Sequence, residues 1–415
     1  MRRLIASHLA SIRPVDGPSL WPVLGFGVSM IVDYGALYYA FTLLAPRISE
    51  DLDWSLSFIF GGLSAAFFCS GLIAPTTGRL LDRYGGRIVM SLGTVAAAAA
   101  LALMSVAEGR LSFLSTLVLA EIAGTAVLYN AAFTTLTQIY GRGARRAITF
   151  ATLAAAFSST IFWPLVSWLL TGLDWRQVLL VLAGLLIAIS LPIHLLLPAF
   201  RGAEDDIVRG PAVSAASTPE PPALDGALRR RAFILVALSF SMTGFVIASL
   251  PLHLIPVLTG LGFSGATAVL LGSLIGPSQF LIRFLEMIAG QRLSALTVGL
   301  VAAGLVPLGL LILMLGGTSV AAGVLFALVY GMGQGLESIA KGIVPLALFG
   351  TSGYGAVLGK LAMAGLVVAA GAPWLFSLVR ESYGPMAALS LVTVAGAIAA
   401  LAYLGVPRPK DPMPA

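Results

Sequence analysis

Long apolar blocks, each roughly the 20 residues a helix needs to cross hydrocarbon, alternate along this chain with short clusters of Gly, Pro, Arg and Asp. Twelve such blocks are predicted as helices, at 21–46, 54–77, 88–107, 111–139, 147–171, 177–197, 232–258, 265–289, 295–315, 320–348, 355–379 and 385–406. The pattern breaks most deeply at 199–231, where Glu204, Asp205 and Asp206 precede a Ser/Ala/Pro-rich stretch and then Arg229, Arg230 and Arg231. That stretch reads as a disordered linker ending in a basic membrane anchor. The expected architecture is an all-α integral membrane protein with six-helix bundles at 21–198 and 232–406, flanked by end segments 1–20 and 407–415.

The halves echo each other. A shift of 209 positions lays Tyr140 and Gly141 on Phe349 and Gly350, and Pro164 on Pro373. Arg79 and Asp82 recur at the same spacing as Arg283 and Glu286, followed by Arg292. Duplication of one bundle explains this.

Composition agrees with lipid as the solvent. Hydrophobic residues make up 58% of the chain and charged residues 10%, against about 25% charged in a soluble domain. The net charge of +6 does not point to nucleic acid, because the basic residues divide by side of the membrane instead of clustering on one soluble face. Most, including Arg79, Arg83, Arg87, Arg145 and Arg229, fall on the side of the termini and the linker; Arg47, Arg110, Arg176 and Arg380 fall on the other. The termini and linker are therefore expected in the cytoplasm of a bacterial-type inner membrane. Arg13 and Pro14 interrupt any apolar region in the first 20 residues, so no cleavable signal peptide is expected. A lone Cys69 and scattered His8, His194 and His253 offer no metal set, and no nucleophile constellation or phosphate loop is visible. Neither a cofactor nor an enzymatic activity is expected.

The chemistry lies in charges predicted within the apolar blocks. A charge at the bilayer centre costs about 2.5–3.5 kcal/mol on insertion scales, so each is a candidate functional residue. Asp33 falls midway along the first helix, on one face with Ser29, Ala36 and Ala40, a small and polar stripe suited to lining water and to a reversible proton carrier. Glu121 lies inside the fourth helix, and Asn130, nine residues on, points the opposite way if that helix is straight. In the tenth helix Gln334, Glu337 and Lys341 share a face, with Glu337 and Lys341 spaced for an ion pair that substrate or a proton could break. Lys360 stands about a turn inside the eleventh helix, placed either to meet substrate or to snorkel to the surface. A structural hydrogen bond or permanent ion pair is the alternative reading of each acid.

One motif is far more specific. Gly78, Leu80, Asp82, Arg83, Gly85 and Arg87 fit the Gly-x-Leu-x-Asp-Arg-x-Gly-Arg-Arg/Lys loop between the second and third helices of the major facilitator superfamily, with Gly86 in place of one arginine. The chain resembles that family over nearly its whole length. The resemblance implies twelve helices, alternating access, and a cytoplasmic gate in which Asp82 meets the amino end of the eleventh helix while Arg83 and Arg87 pair with neighbouring acids. Arg283 takes two readings under it: an arginine of the eighth helix that holds an anionic substrate, or, with Glu286, the second-half copy of the gate, which is preferred.

The branch is read from weaker signals. The Arg-x-x-x-Gly and Gly-Pro-x-x-Gly-Gly motifs of drug/proton antiporters are missing from the fourth and fifth helices. The stretch from Tyr38 to Leu81, with Trp54-Ser55 and Ser70 to Pro75, and Arg145-Arg146-Ala147, are similar to the bacterial monocarboxylate and oxalate–formate carriers. The first helix has Asp33 in the region where many of those carriers place a lysine. The expectation is a proton-linked secondary transporter of a small organic solute, an organic anion first, working as a monomer, with Asp33 and Glu121 coupling protons and Gln334, Glu337, Lys341 and Lys360 contacting substrate. Drug or metalloid efflux on the same scaffold and a non-transporting membrane sensor are the alternatives.

Overall fold

The computed structural model describes residues 21–199, 224, 226–289 and 293–408. The expectations for the first 20 residues, for Glu204 to Asp206, for Arg292 and for the end of the tail fall outside them. The helices are α1 (Trp21–Leu52), a run Leu56–Ser105 that contains α2 and α3, α4 (Arg110–Tyr140), α5 (Ala144–Leu169), α6 (Trp175–Leu195), α7 (Gly226–Gly260), α8 (Gly265–Ala289), α9 (Ala295–Gly316), α10 (Val320–Phe349), α11 (Tyr354–Tyr383) and α12 (Pro385–Leu404). No strand occurs among the described residues.

The run Leu56–Ser105 holds 50 residues, about 75 Å at 1.5 Å per residue, more than twice the hydrocarbon thickness. It divides at Gly85, whose φ of 75° and ψ of 162° lie outside the helical region. Glycine takes that conformation without a Cβ clash, so α2 (56–84) turns into α3 (86–105) at a single residue. The ten-residue turn expected between these helices is instead almost wholly helical, which keeps its backbone groups paired. Twelve spans result.

Several helices begin on side-chain caps. Ser55 accepts from the Phe58 amide, Asp174 forms a capping box with Gln177, and Ser294 and Ser319 accept from Thr297 and Ala322. α7 starts six residues before the expected Ala232, because Arg229 to Arg231 join its first turns. Four helices are interrupted inside the membrane. α1 and α6 carry π turns at Gly35–Tyr39 and Leu186–Ser190, α4 leaves the helix from Thr125 to Leu128, and α5 leaves it at Ala156 and Phe157.

Each half has its own apolar core. Leu44, Ile48, Ile59, Phe113 and Trp175 pack within the first, and Leu250, Phe326, Phe376 and Leu389 within the second. A third core crosses between halves near the linker, joining Leu81, Phe133 and Ile148 to Ile343, Tyr354 and Leu358. The halves therefore meet mainly at the linker end, along α2 and α11 and through the last part of α4 and first part of α5 against α8, α10 and α11.

Candidate functional site

Where α2 meets α11, the Asp82 carboxylate accepts two hydrogen bonds from the other half, from the Gly355 amide at 2.8 Å and the Ala356 amide at 2.7 Å. These are among the orphan N–H groups of the first turn of α11, where the helix dipole also favours negative charge. The contact requires glycine on both helices: a Cβ at Gly78 would collide with the Gly355 carbonyl, and one at Gly359 with the Ala74 carbonyl. Arg83 and Arg87 depart from expectation. Both are exposed, Arg83 lies over the Tyr84 ring at 5.2 Å, and neither forms an ion pair among the described residues.

A second contact between the halves joins α8 to α5. Glu286 accepts from Arg145 at 3.2 Å and from the Thr149 hydroxyl at 3.0 Å. Arg283 does not pair with Glu286. Its guanidinium donates to the Thr152 carbonyl across the halves at 3.0 Å, to the Gly335 carbonyl at 3.3 Å and to Gln279 Oε1 at 3.2 Å. The echo of Arg79 and Asp82 thus survives as an inter-half contact with different partners.

From Arg283 a directed chain of hydrogen bonds runs into the second half. Arginine has only donors, so Gln279 must turn its oxygen to Arg283 and its NH2 to Gln334. Gln279 Nε2 donates to Gln334 Oε1 at 2.7 Å, and Gln334 Nε2 donates to the Tyr330 hydroxyl at 2.7 Å. The Tyr330 proton is left to give onward. Opposite, Tyr129 of α4 lies against Arg283, its ring 4.5 Å from that of Tyr34. Tyr38 of α1 lies within electrostatic range of both Glu121 and Tyr330. The two halves therefore enclose one cationic centre with amides and phenols around it. Phe157 and Phe280, ring centroids 5.1 Å apart, add an apolar edge.

Asp33 does not join this group. Ser29, Asp33, Ala36 and Ala40 are buried in the first half, so the stripe expected to line water packs against protein instead, while the adjacent Tyr34 packs on Tyr129. Asp33 Oδ2 lies 3.7 Å from His194 Nε2 of α6, both side chains fully buried. The Ser190 hydroxyl is close by without hydrogen-bond geometry. On the far side of the imidazole, Thr94 Oγ1 is 2.8 Å from Nδ1 and also donates to the Met90 carbonyl at 2.8 Å. A hydroxyl has one proton, so Nδ1 is the donor to Thr94 and a neutral His194 turns the lone pair of Nε2 toward Asp33. Lone pair against carboxylate is repulsive, and a single proton between them makes the contact attractive.

Glu121 is half-buried beside Tyr38. Because α4 is broken between Glu121 and Asn130, the straight-helix argument that separated them fails. Gln334 and Glu337 also part company: Gln334 turns to α8, whereas Glu337 is buried with neither oxygen hydrogen-bonded, in the region of Tyr403 of α12. No ion pair links Glu337 to Lys341. Lys360 is exposed and lines a crevice at the linker end with Arg229 and Arg230, on the snorkelling side of the two expectations and apart from the Arg283 group. His194, Gln279, Tyr129, Tyr330, Arg145 and Thr149 entered none of the expected sites. Of these His194, an ionisable residue inside the sixth apolar block, carried the one signal that could have drawn attention.

Two bundles of membrane-spanning helices in parallel repeat, in contact at one end around a polar centre, are the architecture of a membrane transporter. The family model described as Major Facilitator Superfamily matches residues 26–373, and the chain belongs to that family, a multi-pass membrane transporter and not an enzyme. Among solved structures it is similar to the human organic anion transporter MFSD10 (TETRAN), with 18% identity, a TM-score of 0.73, and coverage of 95% of this chain and 100% of that one. It is also similar to FucP in the outward conformation, with 15% identity, a TM-score of 0.67 and coverage of 93% and 99%. The proton:xylose symporter XylE gives 12% identity, a TM-score of 0.66 and coverage of 92% and 94%. At these identities the likeness is one of fold. No curated protein matches the chain.

Proposed function

We propose that the protein carries a small organic anion by alternating access, coupled to protons. The observation that carries this reading is Arg283, held between the halves with its donors distributed over Thr152, Gly335 and Gln279 and the Tyr129 phenol against it. A substrate carboxylate can replace Gln279 or the Thr152 carbonyl as an acceptor and form a charge-assisted pair, about twice as strong as a neutral hydrogen bond. Gln279, Gln334 and Tyr330 then orient it, while the tyrosines supply apolar faces for a short carbon chain. An organic anion transporter and two sugar carriers, XylE and E. coli FucP, both described as proton symporters, share the fold. That supports the reading by analogy.

The mechanism uses residues of both halves. With the termini and linker in the cytoplasm, as the arginine distribution favours, contacts of Asp82 with α11 and of Glu286 with α5 close the cytoplasmic side and leave an outward-facing state. Substrate entering from outside takes over donors of Arg283, loosening its hold on Thr152 across the halves. A proton on Asp33 turns the repulsive contact with His194 into an attractive one and draws α1 onto α6, and Glu121 beside Tyr38 is the second proton position. Both events favour release of the linker-end contacts and exposure of the site inward. One protein molecule contains every group this cycle uses.

The test is uptake of a labelled solute panel, including short monocarboxylates, dicarboxylates, sugars and cationic drugs, into proteoliposomes with an imposed pH gradient. Uptake of a carboxylate that rises with an inwardly directed proton gradient and falls on Arg283→Gln supports the proposal. Extrusion of cationic compounds with no carboxylate flux would replace it with drug efflux. Solute binding without flux of any panel member would replace it with a sensor.

A further inference from the structure

Four cations gather at the linker end of the second half, on its outside. Two adjoining crevices, of about 550 and 340 Å³, share Gly226 and Arg230. Arg231 lines the larger, and Arg229 and Lys360 the smaller. Arg229 is fixed, its guanidinium over the Phe349 ring at 5.4 Å. Among the described residues none of the four forms an ion pair with an acid. Arg230 lines both crevices, so the four cations border two volumes that adjoin at that residue, and like charges gathered in this way repel. An anion bound between these cations would offset that repulsion.

The walls say which anion. Ile234 and Leu235 also line the larger crevice, and Ile234, Leu228 and Leu404, 53%, 51% and 65% exposed, give the adjoining ends of α7 and α12 an apolar flank suited to hydrocarbon. A water-soluble anion has no use for that flank, whereas a phospholipid puts its phosphate among the arginines and its acyl chains along it. Basic pockets between membrane helices are suited to anionic headgroups, and arginine matches phosphate oxygens two at a time. We infer that this basic shelf on α7 and α11 is a binding site for the phosphate headgroup of an anionic phospholipid of the linker-side leaflet. The site is separate from the Arg283 centre and stands whether or not the proposed substrate is correct. It is also placed to matter for the gate. Val357, which lines the smaller crevice with Lys360, follows directly on Gly355 and Ala356, the amides that Asp82 holds, and Lys360 lies about one turn further along α11. A headgroup there braces the first turn of α11 from behind the contact.

The experiment uses the full chain in nanodiscs of phosphatidylcholine doped with phosphatidylglycerol, with retained lipid counted by native mass spectrometry after release into detergent. The parent is expected to retain phosphatidylglycerol over phosphatidylcholine, and to unfold at higher temperature when it is present. Arg230→Gln with Lys360→Gln should lower retention at least tenfold, and Arg230→Lys with Lys360→Arg, which keeps both charges, should hold it within about threefold. That second variant separates loss of the site from loss of folding. Equal retention by the parent and the neutralised variant would overturn the inference. So would displacement of the lipid by millimolar inorganic phosphate with full recovery of the thermal shift, which would make the ligand a free anion.

Discussion

The Asp33 carboxylate faces the His194 imidazole across 3.7 Å with neither side chain exposed, and the pair sits between two π turns, Gly35–Tyr39 in α1 and Leu186–Ser190 in α6. A π turn leaves a helix with one extra residue and a weakened local ladder, and such turns are common at functional sites. The acid is therefore lodged where both helices are easiest to shift. Tyr34, on the same stretch of α1, packs on Tyr129, which lies against Arg283, so a change at Asp33 can reach that centre along one short segment of one helix.

Asp33→Asn should separate transport from coupling. The amide keeps the shape and removes the exchangeable proton. Solute exchange in proteoliposomes should persist at a substantial fraction of the parent rate, while uphill accumulation under a pH gradient should fall to background. Accumulation equal to the parent's would remove Asp33 from the coupling scheme.

Asp82 and the glycines beneath it predict a shift in gate position. Losing a helix cap costs about 0.5–2 kcal/mol, or roughly 2- to 30-fold in an equilibrium. Asp82→Ala should move the population by that much toward the state open at the linker end. Gly78→Val should do so more completely, because its side chain has only the Gly355 carbonyl to occupy. Spin-label distances between the linker ends of α2 and α11 would report both; unchanged distributions in Gly78→Val would show that the contact does not limit closure.

Much of this was legible in the sequence, and the misses have a common cause. Span number and the Gly78 to Arg87 segment follow from hydropathy and a long motif, which depend on neighbours along the chain. The face of Asp33 was misread because helical spacing shows which residues share a side and not what lies opposite it, and here that is His194, 161 positions away in the chain. Glu121 and Asn130 were separated by assuming a straight helix, and the break at Thr125 to Leu128 undoes that. Gln334 and Glu337, three residues apart, share a broad face on paper; close packing of α8 on one flank of α10 and α9 on the other divides them. Gln279 and Tyr330, polar but uncharged, gave no signal above the background of a helix.

The Arg145 and Glu286 pair predicts a charge-swap rescue. Removing one partner of a buried ion pair costs about 3–5 kcal/mol where burial is complete, and less here because Arg145 is 17% exposed. Glu286→Ala should weaken the linker-end closure, and so should Arg145→Glu. Arg145→Glu with Glu286→Arg should recover a substantial part of the lost thermal stability and of the distance distribution between α5 and α8. Additive losses in the double variant would show that the two side chains do not act on each other.

Arg283→Lys is the sharpest test of the centre itself. Lysine keeps the charge but offers a compact ammonium in place of a planar fork, so it cannot donate at once to Thr152, Gly335 and Gln279 in their observed directions. If charge alone binds the solute, transport survives with a modest rise in KM. If geometry matters, Gln279 loses its oriented partner, its amide is free to flip, and the chain through Gln334 to Tyr330 loses its direction. Hydrogen bonds to charged groups contribute about 1.5–3 kcal/mol each, so losing one that substrate uses should raise KM roughly 10- to 150-fold. Gln279→Glu supplies the control: an acid beside Arg283 would neutralise the guanidinium and abolish anion binding while leaving the fold intact. A Gln279→Glu protein that still carried the anion with the parent KM would place the substrate elsewhere.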